Sequence, residues 1–109
     1  MKVINLGEQN SVLNQFVSEI RDVNIQKDSL RFRRNLERIG EIFAYEISKT
    51  LNYVPSEVET PLGIANIQLC NQTIVLGTIL RAGLPLHQGL LNYFDCAQNS
   101  FIAAYRKYG

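Results

Sequence analysis

The chain has 109 residues, 46% of them hydrophobic and 19% charged, with 11 basic against 10 acidic side chains and a net charge of +1. That length suits one small domain, and the composition is that of a folded chain rather than a disordered one. So small a net charge supplies no field to gather nucleic acid or an anionic membrane, and neither is expected as a partner.

The chain turns polar directly after Met1-Lys2-Val3-Ile4, so no signal peptide is expected, and its apolar runs are too short to span a bilayer. Its two cysteines, Cys70 and Cys96, lie in or beside apolar stretches and form no C-x-x-C pair. Free thiols in a reducing, cytoplasmic setting are expected in preference to a zinc site or a disulfide.

Residues 10–22 read as the first helix: Val12, Leu13, Phe16, Val17 and Ile20 recur at helical spacing, with Asn10 or Ser11 available as cap. After a polar connector, a longer helix is predicted over 29–51, capped by Asp28 or Ser29. Its apolar stripe is Leu30, Phe32, Leu36, Ile39, Phe43 and Ile47, opposite Arg33, Arg34, Glu37, Arg38 and Glu41. The period then changes to two. Val54, Ser56, Val58 and Thr60 alternate with Pro55, Glu57 and Glu59, as in an edge strand. Thr60-Pro61-Leu62-Gly63 suits a type I turn, and residues 64–70 return as the second strand of a hairpin.

Residues 73–80 make the strongest strand, apolar on both faces as in the centre of a parallel sheet. Arg81-Ala82-Gly83-Leu84 forms a tight segment, Pro85 opens a short helix to about residue 93, and residues 99–105 form a further buried strand. The fold class is therefore α/β: a helical region over 1–52, then a hairpin and a parallel βαβ unit over 53–109, in one partial domain.

The chemistry concentrates after the 73–80 strand. In open α/β sheets ligands bind beyond the carboxyl ends of the strands. There Ala82 and Gly83 bare the backbone, a helix N-terminus adds partial positive charge, and Arg81 brings a planar fork of donors suited to phosphate oxygens. The same residues also suit a plain strand-to-helix turn with a surface arginine, and generic features alone favour that plainer reading. Arg106 ends the next predicted strand, so Arg81 and Arg106 could converge on one anion with Lys107 nearby; equally, Arg106 and Lys107 could be solvated charges.

Ile79-Leu80-Arg81-Ala82-Gly83-Leu84, after an apolar strand, resembles the Leu-Arg-Ala-Gly segment of uracil phosphoribosyltransferases. Tyr105-Arg106 falls where that family has a Tyr-Arg segment. Upstream, Ile20-Arg21-Asp22, Phe32-Arg33 and Tyr45-Glu46 resemble its N-terminal helices, and the hairpin at 54–70 fits as well. The resemblance implies the amino-terminal part of a type I phosphoribosyltransferase fold. It also implies attack by uracil on phosphoribosyl pyrophosphate, giving UMP and pyrophosphate in pyrimidine salvage. Arg81, Ala82, Gly83 and Arg106 would then hold the pyrophosphate part, with Mg2+ carried on the substrate's own oxygens and a homo-oligomer as the assembly.

The family carries, further on, an acidic strand end, a Thr/Gly/Ser-rich loop for the 5′-phosphate and a carboxyl-terminal hood for uracil. None of these lies within the 109 residues, so the chain alone is expected to be inactive. It also departs from the family at Gln88, where many members are acidic, and at Lys107-Tyr108-Gly109, which lack the family's acidic run. Two alternatives stay open. One is a non-catalytic, RNA-binding regulator of related fold, which the charge argues against. The other is a truncated interaction module without a ligand.

Other residues read more plainly. His87, the one histidine, is expected on a helix surface, with no carboxylate placed to orient it as a base. Arg31-Phe32-Arg33-Arg34 reads as a face laced with salt bridges to Glu37 and Glu41, and Tyr105 and Tyr108 as strand-end packing.

Overall fold

The computed structural model describes residues 3–103. A short 3-10 turn, Leu6–Glu8, precedes helix α1 (Leu13–Arg21) and the long helix α2 (Ser29–Ser48). Strands β1 (Tyr53–Thr60) and β2 (Gly63–Cys70) follow, then β3 (Val75–Leu80), helix α3 (Leu84–Tyr93) and β4 (Gln98–Ala103). This is the α/β order expected from the sequence. No helix among the described residues is long and apolar enough to cross a membrane.

Local chemistry explains most of the boundaries. Ser11 Oγ accepts the Leu13 N–H at 3.2 Å, so the first helix starts inside its predicted range. Asp28 caps α2 by accepting the Arg31 N–H at 3.1 Å. At the other end α2 stops three residues short of the predicted 51, because its winding tightens. Lys49, Thr50 and Leu51 donate backbone N–H groups to carbonyls three residues back, and the hydroxyls of Thr50 and Tyr53 take the carbonyls of Ile47 and Ser48, each at 2.7 Å.

The hairpin pairs Tyr53 with Cys70 through to Thr60 with Gly63, leaving Pro61 and Leu62 as a two-residue loop. Neither loop residue has positive φ, which rules out types I′, II′ and II and agrees with the predicted type I turn. The backbone reversal falls instead on Gly63, whose φ of 128° few other residues adopt. Beyond its own two strands the hairpin has at most a marginal contact with any other element. It projects as an arm, and the described chain measures 61 × 33 × 33 Å with a radius of gyration of 17.6 Å. A compact chain of this length would have about 13 Å.

Strands β3 and β4 pair in parallel, with Val75 opposite Gln98, Thr78 opposite Phe101 and Leu80 opposite Ala103. Their connection through α3 is the expected βαβ unit. Residues 73 and 74 lie outside β3, and the part of the predicted last strand beyond residue 103 lies outside the described residues. The expectation of a central strand covered on both faces is met on one face only: Thr78 is 7% exposed against α3, whereas Val75 and Ile79 on the other face are each 60% exposed. Among the described residues no second layer packs there.

The core lies where α2 meets its two neighbours. Helix α1 packs on one side of α2 and α3, more extensively, on another. The α2–α3 crossing is set by glycines. A Cβ at Gly89 would stand 2.0 Å from the Glu37 carbonyl oxygen and 2.9 Å from the Glu41 nitrogen, and one at Gly40 would lie 3.2 Å from Gly89 Cα. Backbone therefore touches backbone, a closer approach than larger side chains permit. With two partners α2 does not bury a single stripe: Asn35, Ile39, Gly40 and Ala44 are buried, while Leu30 and Ile47 of the predicted stripe stay exposed. Glu37 and Glu41, expected on the solvated face, flank the α3 crossing, and Glu37 accepts from Asn92 of α3 at 2.9 Å.

Candidate functional site: the turn after strand β3

The segment singled out in the sequence leaves β3 at its carboxyl end. The Leu80–Arg81 peptide is cis, Arg81, Ala82 and Gly83 form the turn, and α3 begins at Leu84 with Pro85 as its second residue. The expectation that Pro85 opens the helix is thus off by one position. Its missing N–H still falls where no intrahelical bond would form. No side chain caps α3, so the positive end of its dipole faces the turn.

The turn is tied internally. Gly83 N–H donates to the Ile79 carbonyl at 3.1 Å, Leu84 N–H to the Arg81 carbonyl at 3.1 Å, and His87 N–H to the Gly83 carbonyl at 3.0 Å. The Gly83 N–H, expected to stand open, is therefore engaged within the fold. Gly83 has φ −78° and ψ −8°, a conformation any residue adopts. What requires glycine is space. A Cβ there would lie 2.7 Å from the Ile79 carbonyl oxygen and 3.0 Å from Thr78 Cγ2. The glycine lets the turn close down on β3. Arg81 and Ala82 remain exposed at its outer edge.

No carboxylate among the described residues lies within ion-pair distance of Arg81. Beside the turn, Arg33, Arg34 and Glu37 of α2 line a shallow groove with Leu84 and Pro85, where Arg34 is paired with Glu37 at 3.4 Å. Chemically, the turn presents one exposed guanidinium beside a helix N-terminus, groups of the kind that pair with anions. The sequence-predicted partner Arg106 lies outside the described residues, as do Tyr105, Lys107 and Tyr108. Among the described residues no group of three or more His, Cys, Asp or Glu side chains is placed to hold a metal ion.

His87 is not where the sequence reading put it. It is 6% exposed, its Nδ1 hydrogen-bonds to Thr78 Oγ1, and its ring lies 5.1 Å from that of Phe101. A signal for this was present. Gly83, His87, Leu90 and Phe94 recur at intervals of four, three and four, so His87 continues the apolar line of α3 toward the sheet.

A second polar cluster sits between α1 and α2. The Glu19 carboxylate accepts from Gln15 Nε2 at 3.2 Å and pairs with Arg31 at 3.0 Å. These two hydrogen bonds, the Gln15 amide first, hold its pKa below the ordinary 4.5 against the opposing effect of burial, with a smaller pull from Asn35. Asn35 itself is fully buried: its Oδ1 accepts from Arg38 at 3.1 Å, while its Nδ2 has no hydrogen-bond partner of ordinary geometry. Arg38, expected on the solvated face, also lies over the Phe16 ring at 5.4 Å.

With the geometry in place, comparison with known proteins decides the family. Residues 7–108 match the family model described as uracil phosphoribosyltransferase. The chain belongs to that family. It is 58% identical over 108 residues to a uracil phosphoribosyltransferase of Porphyromonas gingivalis, covering 99% of this chain and 50% of the relative. It is also 40% identical over 99 residues to one of Sulfolobus acidocaldarius, covering 88% of this chain and 45% of the relative. The chain thus spans about half the length of the curated uracil phosphoribosyltransferases it matches. Among solved structures, the AQ2163 protein from Aquifex aeolicus superposes with a TM-score of 0.73 at 27% identity, over 85% of this chain and 44% of that one.

Proposed function

We propose that this chain supplies part of the pyrophosphate site of an enzyme that transfers the phosphoribosyl group of phosphoribosyl pyrophosphate to uracil, a step of pyrimidine salvage. The C1′–oxygen bond to pyrophosphate breaks, a bond from C1′ to uracil N1 forms, and the N1 proton is lost, giving UMP and pyrophosphate. The observation that carries the reading is an exposed guanidinium, Arg81, at a parallel strand's carboxyl end beside an uncapped helix N-terminus, in a chain of this family.

Negative charge grows on the departing pyrophosphate as the sugar becomes cation-like. A fixed guanidinium there stabilises the transition state more than the ground state. Arg81 binds and orients the diphosphate, joined by Arg106. Exposed Ala82 lets the substrate approach the backbone, and Gly83 sets how closely the turn seats on β3. Among the described residues no group of three or more His, Cys, Asp or Glu is placed to hold a metal ion, and Mg2+ would come carried by the substrate, whose charge it would partly neutralise. Unpaired Cys70 and Cys96 suit a reducing cytoplasmic setting. Exposed Val12 just before α1, with Leu30 and Ile47 on α2, supplies apolar surface for self-association into a homo-oligomer.

Calorimetric titration of magnesium phosphoribosyl pyrophosphate into wild type and Arg81→Ala tests the reading. Loss of a charge-assisted pair of this kind weakens binding by about 1.5–3 kcal/mol, roughly tenfold or more. Equal affinities would remove the turn from the substrate site.

A further inference from the structure

We propose that His87 is a positioning residue for the pyrophosphate turn, acting through Thr78 and Phe101; the inference rests on the function proposed above. His87 lies on α3 and touches neither Arg81 nor, in this reading, the substrate. It is buried, and its Nδ1 hydrogen-bonds to Thr78 Oγ1 of β3. The same ring meets Phe101 of β4 at 5.1 Å between centroids, tilted by 50°. Thr78 and Phe101 are cross-strand partners, so their side chains share the face under α3. One imidazole therefore engages both strands, and β3 leads directly to Arg81.

Thr78 also sits under the turn itself. Its Cγ2 is 3.0 Å from the point where a Gly83 Cβ would project, and the neighbouring Ile79 carbonyl accepts the Gly83 N–H. The Gly83 carbonyl in turn accepts the His87 N–H. The end of the turn is thus closed in a ring: Thr78 to His87 through side chains, His87 to Gly83 and Gly83 to Ile79 through the backbone. Apolar packing is non-directional and leaves a helix free to shift slightly along a sheet. A buried hydrogen bond is directional and fixes the register. A guanidinium fork needs that precision, since a displacement of about 1 Å at a substrate-positioning group can cost on the order of a hundredfold.

The test uses the full chain, with affinity for magnesium phosphoribosyl pyrophosphate and thermal midpoint measured on each variant. Thr78→Val keeps the shape and removes the hydroxyl, and His87→Leu removes the ring nitrogen that bonds to it. Both are expected to bind on the order of tenfold more weakly. Thr78→Ser, which keeps the hydroxyl, and His87→Asn, whose amide can stand near the Nδ1 position, are expected to retain most of the affinity. The double variant Thr78→Val/His87→Leu is expected to be no weaker than either single one, because both act through one bond. A lowered midpoint with wild-type affinity in Thr78→Val and His87→Leu would overturn the inference and leave the pair a stabilising contact only. Equal weakening in the Ser and Asn variants would also overturn it. If His87→Leu does not fold, the Val and Ser substitutions at Thr78 decide the matter. Wild type and Arg81→Ala binding alike would instead sink the proposed function itself.

Discussion

At the scale of single residues, the same side-chain types do unlike work according to what surrounds them. Arg81 stands exposed at a strand end, whereas Arg31 is tied to a buried carboxylate and Arg38 to a buried amide and an aromatic face. Glu19 makes a pH-dependent contribution whose sign follows from its environment. Its pKa is lowered on folding, so the folded state binds the carboxylate better than the unfolded state does. The stabilisation is complete above the ordinary value of 4.5 and is lost as pH falls from there through the lower folded value. Glu19→Gln should therefore have a lower thermal midpoint than wild type at pH 7, and the gap should narrow as pH drops below about 4. Thermal melts of both proteins across that range give the answer; a gap independent of pH would mean the Glu19 charge contributes nothing.

At the scale of elements, the α2–α3 crossing is the sharpest feature. Alanine is a better helix former than glycine by about 1 kcal/mol. That gain is available at Gly89 only if its Cβ can be placed, and the atoms in the way are backbone: the Glu37 carbonyl oxygen at 2.0 Å and the Glu41 nitrogen at 2.9 Å. The helices would have to move apart. Gly89→Ala is expected to destabilise the chain by about 1–3 kcal/mol or more. Gly77→Ala, whose Cβ meets nothing within 4 Å, serves as the control and should change stability by no more than about 0.5 kcal/mol. Urea denaturation separates the two; similar midpoints would mean the crossing is looser than its glycines imply. The elements themselves were legible in the sequence. Among the described residues three α-helices and four strands lie within a few residues of their predicted bounds, the end of the last strand excepted because it falls outside those residues; periodicity, caps and turn residues act over three or four positions. The stripe of α2 was less legible, because two neighbours claim two of its faces.

At the scale of the whole molecule, a radius of gyration of 17.6 Å describes an extended body. The hairpin stands clear of the helices, and apolar side chains face outward from it and from the parallel pair: Ile64, Ile67 and Leu69 on β2, Val75 and Ile79 on β3, Ile102 on β4. Surfaces of this kind associate in water. Sedimentation velocity over a concentration series should show species larger than the monomer. A single monomeric boundary throughout would argue against the homo-oligomer.

Residue order alone determined the α/β succession, the hairpin and its turn, the place of the bend after β3 and the likeness to uracil phosphoribosyltransferases, since each is written in neighbours along the chain. The tertiary structure decided what lies against what. It buried His87 between Thr78 and Phe101, engaged the Gly83 N–H within the turn, and pressed Gly40 and Gly89 together. Burial and close approach depend on groups brought from distant points of the chain, and no local spacing carries that information.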